Sequence, residues 1–379
     1  MRLRATVQGL SSIALAFLAL AATATAQVRE IPPASEVKEI SPGSERAMFG
    51  RYAGKLHTPK TQIEAAATPL TTWNGSFSFN GRTFSYNMVG TAPSTGTSTT
   101  VAVEIIPLKI VVTGRSGVKT TFDPAHVLSN GNTVTANTVA SPVFKAIPFT
   151  SGGVSMGTTQ YTDAFQRANF WGTVKSHTGY HLLLGTPTVK AEQTLSPPRR
   201  NGTTGVVFGF NAGLVDINWF DTQVQNLISS LGIQPNTLPI FLTTDVYLTE
   251  SGQCCVGGYH SVTGTVAAPQ AYSFATYVDH AGSFAQDVSA LSHELGEWAD
   301  DPLVVNINGN NTPCGILEVG DPLENNANFG DFTFKGANGF SYNLQDLVTL
   351  PYFGAPASTS VNGEFTFHGE SLTVCENGS

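Results

Sequence analysis

Apolar and polar residues alternate along the chain from about residue 71. In residues 76–79 and 82–86, aromatic side chains occupy every second position on either side of Asn80-Gly81. A period of two is typical of strands with one buried face. An Asn-Gly pair between two such strands indicates a tight hairpin. The sequence therefore predicts a β-hairpin here.

Pro107 interrupts the next strand region, residues 101–112. Because proline has no N–H to give to a ladder, we expect this strand to lie at a sheet edge or to contain a bulge. Residues 163–171 carry the amphipathic pattern of a short helix, and residues 172–213 return to short strands and turns. Together these patterns predict an antiparallel, β-rich domain over residues 71–200 with one small helix.

The second half of the chain mixes both periods. Residues 214–231 repeat apolar positions at helical spacing up to Gly232, and glycine is typical of helix ends. Strand-sized apolar runs follow, at residues 239–248, 257–266 and 271–278. We therefore predict an α+β protein, in which the β-rich domain is followed by a mixed domain of helices and strands over residues 201–379.

One further helix carries a single apolar stripe. Its apolar residues are spaced four, three, four and three apart, which is the helical period: Phe284, Val288, Leu291, Leu295 and Trp298. The pattern predicts a helix from Ser283 to Asp301 that ends before Pro302. The stripe is expected to bury this helix against a sheet.

His293, Glu294 and Glu297 have the spacing of a metal-binding helix motif. Residues four apart lie on one helix face, so His293 and Glu297 can bind one ion as the two histidines of H-E-x-x-H do. In that motif the metal acidifies a bound water, and the Glu after the first ligand takes its proton. Glu294 is the residue predicted for this role. The alternative interpretation is an ordinary solvated polar face without a metal.

A catalytic zinc site also requires a third protein ligand and an open position for water. Glu318 and Asp321 are the best candidates, because the loop after the helix is long enough to fold back. Asp300, Asp301, His260 and His280 are further candidates for ligands. For the two aspartates at the helix end the alternative is fraying and capping, which is favoured for Asp301 because it precedes Pro302. For each histidine, a structural role within a strand or turn is favoured over a ligand role.

The same segments resemble a known family. HELGE at 293–297, DPL at 301–303 and EVGD at 318–321 are similar to the signature of the EXORDIUM-like (phosphate-induced) proteins and of bacterial secreted zincin-like proteins with an H-E-x-x-E helix. The resemblance covers about residues 239–325. It implies a zincin-like fold for the second domain, with His293 and Glu297 as ligands, Glu294 as base, and Glu318 or Asp321 as third ligand.

The chain departs from this family at its cysteines. The family often has a cysteine soon after the second Asp, where this chain has Pro322-Leu323, and Cys314 lies upstream instead. The family's disulfide pattern therefore does not carry over.

A ligand set of one His and two carboxylates has a chemical consequence. Its two negative charges neutralise the metal more than a two-His set does, so the bound water is acidified less. Carboxylates are also harder ligands than histidine, so Mn or Ca could bind at the same site in place of Zn. We predict one zinc ion, with Mn and Ca as alternatives.

The first residues predict export. Two arginines precede an apolar run, 13–22, that leads to Ala-Thr-Ala at 24–26, the small-x-small pattern of a signal peptidase site. The run is shorter than the ~20 residues of a membrane span. We predict a signal peptide over residues 1–26, with a membrane anchor as the alternative, and a leader or linker over residues 27–70. The product is expected to be secreted, extracellular or periplasmic, with no membrane span.

The composition of the chain restricts the classes of molecule that it is expected to bind. The net charge is −8, and Lys and Arg form no cluster, which argues against nucleic acid. Four cysteines in the second half are expected to form disulfides in an oxidising compartment: Cys254, Cys255, Cys314 and Cys375. The sequence leaves three connectivities open. A Cys314–Cys375 bridge would leave the adjacent pair as a vicinal disulfide or as two thiols.

Two functions are consistent with these features. The first is a secreted metal-dependent peptidase that acts on a protein or peptide substrate with metal-activated water, with residues 257–266 as a strand edge for an extended peptide. The second is a non-catalytic exported or cell-surface protein that keeps the fold and binds a protein or a cell-surface polymer. Trp73 or Trp171 could serve such a binding surface, although aromatic residues at strand spacing usually lie in the core. A calcium-stabilised structural protein ranks last, because no EF-hand loop is present.

Overall fold

The computed structural model describes residues 68–114, 117–265, 268–305, 317–323 and 330–371. Within these residues the chain has both helices and sheets, as the predicted α+β class requires. The predictions for residues 1–26 and 27–67, and any bridge of Cys314 or Cys375, lie outside the described residues. Across the described part, no helix combines the length and the hydrophobicity needed to cross a membrane.

The described part of the first half contains nine strands and three short helices. The strands are β1 (Thr72–Phe79), β2 (Arg82–Val89), β3 (Ser98–Thr113), β4 (Lys119–Phe122), β5 (Ile147–Ser151), β6 (Val154–Thr159), β7 (His181–Leu184), β8 (Thr188–Val189) and β9 (Gln193–Leu195). The helices described there are α1 (Val134–Val139), α2 (Tyr161–Asn169) and α3 (Trp171–Val174).

The second half adds nine strands and two longer helices to the described fold. The strands are β10 (Gly202–Val207), β11 (Phe210–Asp216), β12 (Thr237–Thr244), β13 (Val246–Glu250), β14 (Gln253–Val256), β15 (Gly258–Thr265), β16 (Ala268–Tyr277), β17 (Asp331–Lys335) and β18 (Ser341–Gln345). The helices are α4 (Ile217–Ser230) and α5 (Ser289–Asp300).

The predicted hairpin is confirmed. β1 and β2 pair antiparallel with Phe79 opposite Arg82, and Asn80 and Gly81 form the turn with φ of 48° and 74°. Positive φ at both central residues is the geometry of the turn that favours Asn-Gly, because it matches the twist of the flanking strands.

The largest sheet runs in the order β15-β16-β12-β3-β4, and β7, β8 and β9 also pair with β3. β3 pairs in parallel with β12 and with β7, β8 and β9, and antiparallel only with β4. The prediction of a purely antiparallel sheet over residues 71–200 is therefore wrong, and the sheet joins strands from both sides of residue 200. Alternation along a strand indicates which face is buried, but it carries no information about the neighbouring strand.

β3 is an interior strand, so of the two alternatives predicted for Pro107, a sheet edge or a bulge, the sheet edge is wrong. Pro107 pairs with Leu242 of β12 on one side. On the other side, β8 pairs with β3 as far as Ile105 and β9 begins at Leu108. The proline thus falls where the ladder on that side is interrupted, and its missing N–H is tolerated there.

The helices α4 and α5 cover opposite faces of the large sheet. Successive strand residues point to opposite faces, and in β16 Tyr272 and Phe274 belong to one apolar cluster while Ala275 and Tyr277 belong to another. The first cluster contains the apolar side chains of α4, and the second contains those of α5. The sheet is therefore the rigid support on which α5 rests.

Several element boundaries differ from the sequence-based ones. Residues 210–216 pair as a strand, and α4 begins only after Asp216, whose side chain accepts the Trp219 N–H at 2.9 Å. The predicted strand 239–248 is two strands, because Asp245 has a φ of 51° and ends β12. The hairpin of β17 and β18 follows α5 in a stretch that the sequence did not predict as strand.

Cys254 and Cys255 form a disulfide with each other in β14. β14 leads through Gly257 directly into β15. Of the two alternatives left open for the adjacent cysteines, the vicinal disulfide is the one that the structure contains.

Candidate metal centre

The helix that carries the motif is shorter than predicted. α5 begins at Ser289, six residues after the predicted start, because Ala285 and Asp287 have positive φ and hold the preceding residues in turns. Phe284 and Val288 of the apolar stripe therefore precede the helix, although Phe284 still stacks on Tyr247. The C-terminal end is close to the expected one, with Asp301 as the capping residue.

α5 has no solvated face. All twelve of its residues are buried, and it contacts β15, β16, β18, β2 and α2. The polar side that faces away from the large sheet is tied to the β17–β18 hairpin: Ser289 donates to Asp331 at 2.6 Å, and Ser292 accepts the Gln345 N–H at 2.9 Å. The alternative of an ordinary solvated polar face is therefore wrong.

His293, Glu297 and Asp321 come together in one group. His293 Nε2 lies 3.0 Å from Glu297 Oε1 and 3.4 Å from Asp321 Oδ1. Asp321 reaches the helix because the short segment 317–323 is pinned at Val319, whose carbonyl accepts the Val348 N–H at 2.7 Å. These three residues are among those that the sequence predicted as metal ligands.

Gly320 allows the segment 317–323 to approach the imidazole closely. A Cβ at this position would stand 2.3 Å from His293 Nδ1, far inside van der Waals contact. The glycine of the EVGD stretch thus has a steric role: it lets the backbone pack flat against the first ligand.

A second group shares Glu297 with the first. His260, on β15, places Nδ1 3.4 Å from Glu297 Oε2 and 3.6 Å from Glu294 Oε2. Its Nε2 faces the Asp301 carbonyl oxygen at 3.3 Å, and a carbonyl can only accept, so Nε2 carries the hydrogen. The sequence placed His260 among the structural histidines. Only the tertiary packing of β15 beneath α5 brings it here, and no spacing in the sequence indicates that contact.

The remaining candidate ligands named from the sequence lie outside the two groups of three and have other contacts. Glu318 is buried beside Glu297 but belongs to neither group of three. The Asp301 carboxylate accepts the Val305 N–H at 3.0 Å, in keeping with its predicted capping role. Asp300 accepts a hydrogen bond from Gln166, and His280 stacks on Phe210 with ring centroids 4.0 Å apart.

The two groups form a strongly coupled electrostatic centre. Burial favours neutral His293, but Glu297 and Asp321 outweigh it and hold the pKa of His293 well above its usual value. Burial likewise opposes the charge of His260, yet Glu294 and Glu297 raise its pKa to about 10. Although burial favours protonated Glu297, the two histidines hold its pKa far below the usual range.

The pKa values of two other carboxyl groups, on Glu294 and Glu318, are raised instead. Burial raises the pKa of Glu294 to about 7, although the contact with His260 lowers it. Burial, followed by the charges of Glu297 and Asp321, raises the pKa of Glu318 well above its ordinary value. The centre therefore holds more buried carboxyl groups than its two histidines can neutralise.

The carboxylates are only weakly satisfied by hydrogen bonds. Among the described residues, five carboxylate oxygens accept no well-directed hydrogen bond: both oxygens of Glu297, both oxygens of Glu318, and Oε2 of Glu294. Buried carboxylates cost several kcal/mol each unless they are paired, hydrogen-bonded or bound to a metal. A cation between these residues would supply the missing partner.

The spacing of the donor atoms also suits a metal ion. Four ligands at zinc–nitrogen and zinc–oxygen distances of ~2.0–2.2 Å in a tetrahedron stand about 3.3–3.6 Å apart. The contacts of 3.0 and 3.4 Å in the first group and 3.4 and 3.6 Å in the second lie in or just below that interval. The buried His, Glu and Asp residues can therefore hold a metal ion.

A small cleft leads to the centre. His293, Glu294 and Asp321 line it together with Gly258 at the start of β15. Its volume of about 20 Å³, as bounded by the described residues, is enough for one water molecule. Seven of the eight residues of β15 are buried, so the strand edge expected to receive a peptide is covered in this structure.

Comparison with known proteins gives no relative: no family model, no curated protein and no solved structure matches this chain. The resemblance to EXORDIUM-like and zincin-like proteins is therefore still a prediction from the motif residues.

Asp300 gives a pH-dependent prediction for stability. Burial raises its pKa from 3.8 to about 8 in the folded chain. A folded pKa above the unfolded one means that Asp300 stabilises the fold below about pH 4, and that this contribution is lost as the pH rises through 8. We expect Asp300→Asn to be more stable than the wild type above pH 8, by up to a few kcal/mol at ~1.4 kcal/mol for each pKa unit.

Urea unfolding between pH 5 and 9, in EDTA so that metal loss does not contribute, measures this difference. The stability gap between Asp300→Asn and the wild type should widen with pH. Parallel curves for the two proteins would contradict the assignment of a protonated, buried Asp300.

Proposed function

We propose that the protein is an exported, metal-dependent hydrolase of the peptidase type. Zinc is the metal expected, held by His293, Glu297 and Asp321. The observation that carries the proposal is the convergence of these three side chains, from one turn of α5 and a separate segment, with donor atoms 3.0 and 3.4 Å apart in a buried site. Glu318, the other candidate for third ligand, is assigned an outer role beside Glu297.

The metal, when bound, polarises a carbonyl group and acidifies a water molecule. Glu294 would be the residue that accepts and returns a proton beside such a water. Its carboxyl group lines the cleft beside His293, within reach of a water molecule there, and a carboxylate in that place can accept and return a proton. Oε1 of Glu294 lies on the side of Gly258, where the absence of a side chain leaves room for it.

Export is part of the proposal. The N-terminal arginines, apolar run and Ala-Thr-Ala site are typical of a signal peptide. The Cys254–Cys255 disulfide is compatible with an oxidising compartment. A zincin-like fold for the second half is proposed on the motif residues and on the mixed sheet that supports α5.

Metal content and hydrolysis test the proposal together. Purified wild-type protein is expected to retain zinc after dialysis, measured by plasma mass spectrometry, and to cleave fluorescein-labelled, unfolded casein. EDTA should abolish cleavage and zinc should restore it, with Mn²⁺ and Ca²⁺ as comparison ions. His293→Ala is expected to lose cleavage and the zinc held by His293, Glu297 and Asp321, whereas His280→Ala, at a histidine outside the centre, should keep both. A wild-type protein without bound metal would overturn the proposal.

A groove beside α3 favours a second candidate function. Trp171 is half-buried and lines a cavity of about 580 Å³, together with Lys175, Ser358 and Asn362. Trp73, by contrast, packs edge-on against Tyr86 and Phe170 and belongs to the core. A non-catalytic protein that binds a cell-surface polymer in this groove would bind zinc without cleaving casein, and Trp171→Ala would release it from the polymer.

A further inference from the structure

We propose that His260, Glu294 and Glu297 hold a second divalent cation, so that Glu297 bridges two metal positions. This inference rests on the proposed first metal position at His293, Glu297 and Asp321. The sequence motif gives no role to His260, and it predicts a single ion.

The two oxygens of Glu297 face different histidines. Oε1 lies 3.0 Å from His293 Nε2, and Oε2 lies 3.4 Å from His260 Nδ1. A carboxylate placed in this way can give one oxygen to each of two ions. Glu297 is fully buried, and neither oxygen accepts a hydrogen bond from the described residues. Its two oxygens are therefore directed at both positions, and the buried Glu318 side chain lies beside it.

The orientation of His260 supports a ligand role for Nδ1. Because Nε2 donates to the Asp301 carbonyl, the neutral ring directs the lone pair of Nδ1 at Glu294 and Glu297. A cation between the three side chains would accept this lone pair and pair with both carboxylates. Histidine ligands of metals characteristically donate their other ring N–H to a backbone carbonyl or a carboxylate.

The donor set suits a pair of ions. Three carboxyl groups face the two positions, on Glu294, Glu297 and Asp321, so each position has anionic oxygen donors for a divalent cation. Pairs of metal ions about 3.5–4 Å apart occur in phosphatases, nucleases and aminopeptidases, where both ions act on the same substrate group. Glu294 Oε2 faces the second position, while Oε1 lies towards Gly258 and is left for proton transfer.

Zinc stoichiometry in single-site variants tests the bridged pair. The wild type, saturated with Zn²⁺ and freed of excess ion, is expected to hold two equivalents by plasma mass spectrometry. His260→Gln should hold one equivalent and His293→Ala should lose the first position. His181→Gln, which removes a histidine–carboxylate contact of 2.8 Å elsewhere, is the matched control and should hold two. Thermal unfolding in EDTA confirms that each variant is folded.

Loading with Mn²⁺ adds a readout that is independent of catalysis. A carboxylate-bridged pair gives an exchange-coupled electron paramagnetic resonance spectrum, and His260→Gln should give the spectrum of an isolated ion. One equivalent in the wild type, unchanged in His260→Gln, would overturn the second position and leave the proposed function standing. Two equivalents without casein cleavage would support the pair and count against the hydrolase. An uncoupled spectrum at two equivalents would also overturn the bridge.

Discussion

Purified Glu297→Gln protein is expected to bind zinc at least ~100-fold more weakly than the wild type, a larger loss than the 10- to 100-fold typical of residues that only support ligands. Glu297 is fully buried and faces both His293 and His260, so its carboxylate is common to both groups. Glutamine keeps the shape of the side chain but removes the negative charge and one acceptor oxygen. Competition with a chromophoric zinc chelator measures the change in affinity.

Glu250→Gln is the matched control for this substitution. Glu250 is also a buried glutamate, but it lies at the end of β13, in a different sheet from β15. Its variant should bind zinc as the wild type does. Equal zinc affinity in Glu297→Gln and the wild type would show that Glu297 is only the partner of two buried histidines.

Glu294→Gln is expected to lower the rate of casein cleavage by ~10²–10⁴-fold, the usual contribution of a general base. The amide cannot accept a proton from water, whereas His293, Glu297 and Asp321 are unchanged, so zinc at the first position should be retained. Initial rates at saturating zinc, with metal content measured on the same samples, separate loss of chemistry from loss of metal.

Glu294→Asp refines this experiment. The shorter side chain keeps the carboxylate but withdraws it from the cleft, so an intermediate rate is expected. Full activity in Glu294→Gln would contradict the assignment of Glu294 as base. Zinc binding without cleavage in the wild type would favour the non-catalytic alternative.

The sequence predicts the local features of the fold well because short-range patterns determine them. Asn80-Gly81 gives the hairpin, and the period of apolar residues in 214–231 gives α4. Parallel pairing of β3 with β12 depends on residues more than a hundred positions apart, and no local period reports it. The interior position of Pro107 depends in the same way on where β8 ends and β9 begins.

The same distinction between local patterns and long-range packing applies to the residues of the candidate site. The i, i+4 spacing of His293 and Glu297 is local, and the sequence identifies it directly. The sequence leaves Asp321 and Glu318 as alternatives for the third ligand, and the hydrogen bond between Val319 and Val348 brings Asp321 to His293. The sequence favours a structural role for His260, because a histidine within a strand has no distinguishing pattern. Its place in the centre follows from tertiary packing of β15 against α5.

The most direct measurement of the central claim is anomalous X-ray diffraction from crystals grown with zinc, recorded on both sides of the zinc absorption edge. The account predicts a peak bounded by His293 Nε2, Glu297 Oε1 and Asp321 Oδ1. It also predicts a second peak beside His260 Nδ1. Crystals saturated with zinc that show no peak at His293, with its imidazole bonded directly to Glu297 and Asp321, would contradict the metal centre.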